Sequence, residues 1–170
     1  NTSTPTTAPY ADTQAPVAGT LSLSNFIDSG SSSSDNISND KTFDLTISGN
    51  EAGSTVVYQV STDGGTSWTP TTASQSGLTD GTYKFRATVT DSAGNSSTTP
   101  VQTVVVDTVI TAGTLSLSNY TDSGSSTTDQ ISTDNTFDLT ISGNEAGSTV
   151  VYQVSTDGGT SWTPTTASQS

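Results

Sequence analysis

Residues 78–90 read LTDGTYKFRATVT, and the kind of structure this chain can form follows from that stretch. Tyr83, Phe85, Ala87 and Val89 alternate with Lys84, Arg86 and Thr88, a period of two that puts the apolar set on one face of a strand and the polar set on the other. Working upstream, the same period recurs at Leu21 and Leu23, at Phe43, Leu45 and Ile47, and at Val56, Tyr58 and Val60. The hairpin-forming string STDGGTSW at 61–68 is followed by a short strand after Trp68 and a ragged one between Ser74 and Leu78. Downstream, 101–106 is closer to continuously apolar than the other strands, as expected of a strand covered on both faces. No window spaces apolar residues as a helix would, so helices are not expected.

Six or seven short strands within about 95 residues, separated by Gly, Asp, Asn and Ser turns, predict an all-β fold: an antiparallel β-sandwich of immunoglobulin type. Tyr83, just inside its strand after Leu78-Thr79-Asp80-Gly81, resembles the tyrosine corner of such sandwiches. The chain has no Cys, so the inter-sheet disulfide of antibody domains is absent, and a bacterial or fibronectin-like variant is expected.

The sequence repeats itself. GTLSLSNF at 19–26 returns as GTLSLSNY at 113–120, and the match runs in register over 58 positions to Ser76 and Ser170 with seven differences. These are Phe26/Tyr120, Ile27/Thr121, Ser33/Thr127, Ser34/Thr128, Asn36/Gln130, Asn39/Thr133 and Lys41/Asn135. The period is 94 residues, which makes the architecture a tandem array. Aligning Asp12 with Asp107 places Thr4 on Thr99 and Pro5 on Pro100, so 1–12 is expected to be the last strand of a preceding repeat or a linker. Residues 13–107 then form one complete repeat, and 108–170 a second repeat lacking its last strands. The chain starts at Asn1 without an initiator Met or signal peptide, so an excerpt of a longer protein is expected.

Composition narrows the chemistry. With no Cys and no His, thiolate metal sites, disulfides and the commonest general base are all excluded. Sixteen acids against three bases give a net charge of −13, which argues against nucleic acid or an anionic membrane as partner. No apolar run is long enough to span a bilayer as a helix. Ser and Thr supply 66 of 170 residues, so the polar surface consists of small hydroxyl side chains suited to strands and turns.

Taken together, DSGSSSSDNISND at 28–40, EAGSTV at 51–56, LTDGTYKFRATVTDSAGNSS at 78–97 and the closing VVVDT resemble the bacterial immunoglobulin-like repeats of giant biofilm-associated and repeats-in-toxin adhesins. The resemblance covers one repeat and nearly two thirds of the next. It implies a non-catalytic extender region at the bacterial cell surface, exported by a type I system and stiffened by calcium, whose partners are neighbouring repeats of the same chain. An eight-residue strand spans roughly 27 Å, so each copy should lengthen the array by roughly 35–45 Å.

Two places suit a hard cation. The first loop carries Asp28, Asp35 and Asp40 among Ser and Gly, and the second copy keeps all three as Asp122, Asp129 and Asp134 although seven of the surrounding positions changed. Calcium takes six to eight oxygens, and such a loop could supply several; the alternative is that these Asp cap turns. The second place is the joint between repeats. There the linker residue Asp107 would meet Glu145 and Asn144 of the next copy, and the corresponding corner of the complete copy would gather Asp12, Glu51, Asp91 and Asn95. Facing carboxylates there would repel unless a cation bridged them, or the joint is an ordinary solvated linker.

The string STDGGTSW, repeated at 155–162, matches an Asp box. It is read as a hairpin device in which Asp63 accepts backbone hydrogen bonds, two glycines take positive φ and Trp68 folds back on the sheet. Exposed Trp68, Tyr58 or Tyr83 could alternatively form a glycan-binding platform, the competing function. The sequons at Asn36, Asn95 and Asn119 are what a Ser/Thr-rich chain produces by chance. No enzyme activity is expected, because the acids lie in Gly/Ser turns and not in a dry cleft.

Overall fold

A computed structural model describes residues 10–170. The chain divides into two compact units, Asn1–Thr108 and Val109–Ser170, and each is described by itself. The proposed strand at 1–12 falls mostly outside the described residues, and Tyr10 to Asp12 form no strand.

The first unit is built from β1 (Thr20–Ser24), β2 (Ile37–Ser38), β3 (Phe43–Ser48), β4 (Thr55–Ser61), β5 (Thr69–Pro70), β6 (Ser74–Gln75), β7 (Gly81–Thr90), β8 (Ser96–Thr98) and β9 (Gln102–Val106). One sheet has the order β1-β3-β6 and the other β2-β9-β7-β4-β5, with β8 also paired to β7. All pairings are antiparallel except β2 with β9. The alternation read in the sequence decides what faces inward. Leu21, Phe43 and Leu45 of the first sheet meet Phe85, Ala87, Val104 and Val106 of the second, all at most 2% exposed. Phe43 sits edge-on to Phe85 at 5.6 Å, and Phe26 edge-on to Phe43 at 5.4 Å, spacings and angles that favour ring quadrupoles.

Two expectations need correction. The strand ending at Val106 is not covered on both faces: Val104 and Val106 are buried, but Val105 is half-buried and Thr103 exposed. Its Val run reflects β-propensity as much as burial. The count of six or seven strands also misses β2 and β8, which are too short and polar to show any alternation. Both exist because a neighbour offers a free edge: Asn36 and Ser38 carbonyls accept from the Val105 and Asp107 amides at 2.9 Å, and β8 lies along β7 from Thr88 to Thr90.

At the entry to β1, Gly19 has φ +75°, and a Cβ there would lie 2.5 Å from the Ser48 carbonyl and 2.6 Å from the Asn50 nitrogen. Only glycine allows the two backbones to approach so closely, and Gly113 repeats the arrangement.

The second unit contains β10 (Thr114–Ser118), β11 (Phe137–Ser142), β12 (Tyr152–Val154), β13 (Thr163–Thr165) and β14 (Ser168–Gln169). Its sheets are β10-β11-β14 and β12-β13, with the same β10/β11 register as β1/β3. Ile131 and Ser132, the counterparts of β2, form no strand.

Candidate functional site

The first loop is organised by its aspartates, each aimed at backbone amides. Asp40 accepts from the Ile27 amide at 2.8 Å and the Thr42 amide at 2.9 Å. Asp28 accepts from Asn36 at 3.0 Å, and Asp35 from Ile37 at 3.1 Å. Ser38, almost fully buried, donates to the Ile27 carbonyl at 2.6 Å. These bonds fold the loop so that β2 reaches the edge of β9.

The second copy repeats the pattern. Asp134 accepts from Thr121 and Thr136, Asp122 from Gln130 and Asp129 from Ile131, at 2.7 to 3.1 Å. Since the partners are backbone amides, side-chain changes at Ile27/Thr121 and Asn36/Gln130 leave them intact. The survival of all three Asp therefore has a structural cause. The bonds to Thr121 and Thr136 also hold the Asp134 carboxyl below the ordinary carboxylate range.

The three carboxylates do not converge: among the described residues no group of three or more potential metal-ligating acids comes together. One oxygen stands apart. Asp28 Oδ1 and its counterpart Asp122 Oδ1 are buried without a hydrogen-bond partner, an expensive state for a carboxylate oxygen. Asp28 borders a polar groove shared with Ser33, Ser34, Asn36 and Gln102.

The corner of the complete repeat is drawn together by an amide. Asn95 Nδ2 donates to the Asp12 carbonyl at 3.1 Å and to Asp91 Oδ2 at 2.9 Å. Asp91 Oδ1 accepts from the Ala93 and Asn95 amides at 2.9 and 2.8 Å. The Asn95 side chain, followed by backbone amides, keeps the Asp91 carboxyl below its ordinary range. Glu51 joins through its backbone, donating to the Val17 carbonyl at 3.0 Å and accepting from Ser54 Oγ at 2.6 Å. The incoming chain is thus fastened to the turns after β3 and β7, with Ser97 Oγ on the Pro16 carbonyl at 2.6 Å as a further tie. In the second unit Glu145 fastens Thr111 the same way, its amide 3.0 Å from the Thr111 carbonyl and its carboxylate 3.3 Å from the Thr111 amide. Asp107 belongs to the first unit and Glu145 to the second; the Asp107 amide extends the β2–β9 ladder.

The Asp box is a hairpin device, as read from the sequence. Asp63 accepts from the Thr66 and Ser67 amides at 2.9 to 3.0 Å, from Ser67 Oγ at 2.5 Å and from Ser61 Oγ at 2.7 Å. These bonds, the Ser67 hydroxyl foremost, press its carboxyl far below the usual range. Gly64 and Gly65 take φ +77° and +98°, and Trp68 Nε1 donates to the Gly65 carbonyl at 3.1 Å. The indole face is then covered: Arg86 Cζ lies 4.2 Å from its centroid, while Lys84 Nζ donates to the Gly64 carbonyl at 2.8 Å. Tyr58 and Tyr83 pack against the core. The aromatics considered for a glycan platform are therefore occupied in the first unit.

Two structural ties escaped the sequence reading. Thr108 donates to Asp80 through its hydroxyl at 2.7 Å and its amide at 3.2 Å, clasping the exit of β9 to the turn before β7. Asp44 accepts from Ser74 Oγ at 2.6 Å and Asn25 Nδ2 at 2.7 Å, linking all three strands of the first sheet. Asp, Ser, Thr and Asn are so abundant that no local signal distinguishes these pairs.

Two sheets, an apolar layer between them and a Tyr83 phenol donating to the Thr79 carbonyl at 2.9 Å define an immunoglobulin-type β-sandwich. The model for the bacterial Ig-like domain matches residues 14–108, and the chain belongs to that family. Such domains commonly occur in extracellular or surface proteins. No curated protein matches the chain.

Proposed function

We propose that this chain is a stretch of non-catalytic extender repeats of a bacterial surface adhesin, holding a distal adhesive region away from the cell for attachment or biofilm formation. The observation that carries this reading is the repeat itself: 58 positions with seven differences, in a fold most of whose carboxylates fasten turns. A spacer needs copies that fold alike and resist bending. The ties from Asn95 to Asp12 and from Glu145 to Thr111 stiffen the entry to each sandwich, which supports that role. Exposed loops rich in Ser, Thr and Gly suit a solvated shaft outside the cell, and the strongly acidic surface keeps parallel shafts apart.

Calcium is proposed as a stiffener, and the residues fit it in part. A shell of three loop carboxylates does not suit the geometry, because those carboxylates are committed to backbone amides. The unsatisfied Asp28 Oδ1 and Asp122 Oδ1 do suit a hard cation. Asp28, with hydroxyl and amide oxygens of Ser33, Ser34 and Asn36, would hold it, and the ion would supply charge compensation for the buried oxygen.

Thermal unfolding of the chain in calcium and in chelator tests this part. The proposal expects a higher Tm in calcium, with the increase lost when Asp28→Asn and Asp122→Asn are combined; identical curves would remove calcium and leave the spacer role to stand on array length.

A further inference from the structure

The entry segment and the exit segment of the complete repeat lie side by side and run in the same direction. Asn95 Nδ2 donates to the Asp12 carbonyl at 3.1 Å, Ser97 Oγ to the Pro16 carbonyl at 2.6 Å and Gln102 Nε2 to the Leu21 carbonyl at 3.1 Å. The Val105 and Asp107 amides then donate to the Asn36 and Ser38 carbonyls, both at 2.9 Å. Along these five ties position rises on both sides together, from 12 to 38 and from 95 to 107. The two segments are therefore parallel, as the β2 pairing with β9 is. Gln102 belongs to the larger sheet and Leu21 to the smaller, so that bond also crosses between the sheets.

Between Leu21 and Asn36 the entry segment leaves this line for the first loop, and the loop is closed at its base. Ser38 Oγ donates to the Ile27 carbonyl at 2.6 Å, and Asp40 accepts from the Ile27 amide at 2.8 Å. The excursion therefore adds little slack. On the outer sides, β3 holds β1 from Thr20 to Ser24, β7 holds β9 from Gln102 to Val106, and Thr108 is clasped to Asp80.

Direction decides how such a set of bonds fails. Parallel segments place Asp12 and Thr108 at opposite ends of the pair, so tension along the chain slides one segment past the other and stretches all the ties together. Opening the pair from one end would break them in turn. We infer that the complete repeat is a shear lock: tension between its ends passes directly from the entry segment to the exit strand through these ties, without first unfolding the strands between them. Its use in a shaft under tension rests on the spacer reading; the lock is a property of one sandwich.

The chain has no Cys, so a pair of introduced thiols fixes the axis of pulling in the full chain. Ala11→Cys with Ile110→Cys loads the segments in shear and keeps residues beyond 110 outside the path, whereas Ala11→Cys with Ala93→Cys loads them at one end; all three positions are exposed. In optical tweezers the first axis is expected to give one high-force event and the second to open at a markedly lower force. Ser97→Ala and Gln102→Ala each remove one tie. Each should speed unfolding under shear about 2- to 12-fold, the rate equivalent of one net hydrogen bond lost in the transition state. Gln102→Ala should leave the opening force on the second axis unchanged. Tyr83→Phe, which removes a hydrogen bond within the corner and none of the ties, is the reference and should speed shear unfolding less than either. Equal forces along the two axes would overturn the lock, as would tie variants that speed shear unfolding no more than Tyr83→Phe does. Neither result would alter the array length that tests the spacer, and a collapsed array would leave the directional difference in place.

Discussion

Arg86 lies over the Trp68 ring, its guanidinium carbon 4.2 Å from the centroid, and this contact joins the Asp-box hairpin to the central strand of the larger sheet. The indole is held at its edge by its Nε1 bond to the Gly65 carbonyl, and Arg86 is held by Gln59. Arg86→Ala should destabilise the first unit by about 0.5–2 kcal/mol, through lost cation–π and packing contact. Arg86→Lys should lie between, since the ammonium lacks the planar stack. Urea unfolding followed by circular dichroism measures both.

Tyr83 donates to the Thr79 carbonyl while its ring lies 6.3 Å from Phe85, nearly parallel. Tyr83→Phe keeps the ring and removes the donor. The expected loss is about 0.5–1.5 kcal/mol, the net value of one hydrogen bond, read as a lower urea midpoint with an unchanged slope.

Gly19 and Gly113 admit no side chain. Gly19→Ala should cost more than about 1 kcal/mol, because φ is positive and the new Cβ meets backbone at 2.5 Å. Native-state hydrogen exchange should show the loss first at the β1–β3 pairing.

Acid should loosen the fold in a defined direction. Asp63 is held low chiefly by the Ser67 hydroxyl, Asp44 by the Ser74 hydroxyl, Asp80 by the Thr108 hydroxyl and Asp91 by the Asn95 amide. A carboxyl whose folded pKa is depressed contributes stability that is complete above its unfolded value and is lost as pH falls through the folded value. The urea midpoint should therefore hold from neutrality down towards the ordinary value of 3.8 and fall below it. Asp63→Asn should lower stability at neutral pH and flatten the acid limb. An acid limb as steep in Asp63→Asn as in the parent chain would contradict the assignment.

Much of this was legible in the sequence, where a residue's own pattern decides its place. The alternation through Phe43, Leu45, Phe85, Ala87 and Val89 named the core, Tyr83 the corner and Asp63 the hairpin. What stayed hidden depends on a distant partner. Ile37 and Ser38 form a strand beside β9, whereas the same Ile-Ser at 131–132 forms none and Ile131 is 73% exposed; identical residues diverge because β2 is a product of its neighbour. Asp28, Asp35 and Asp40 drew attention as a group, yet sequence spacing could not show that each faces a different amide. The clasp from Thr108 to Asp80 joins two ordinary turn residues 28 positions apart.

The central claim is that these sandwiches act as a shaft. Small-angle scattering on arrays of two, four and six complete repeats measures it most directly. The account predicts a maximum dimension rising by roughly 35–45 Å with each repeat, the length of a strand plus its loops. A dimension that grows much more slowly, as a collapsed or freely jointed chain of sandwiches would give, would contradict it.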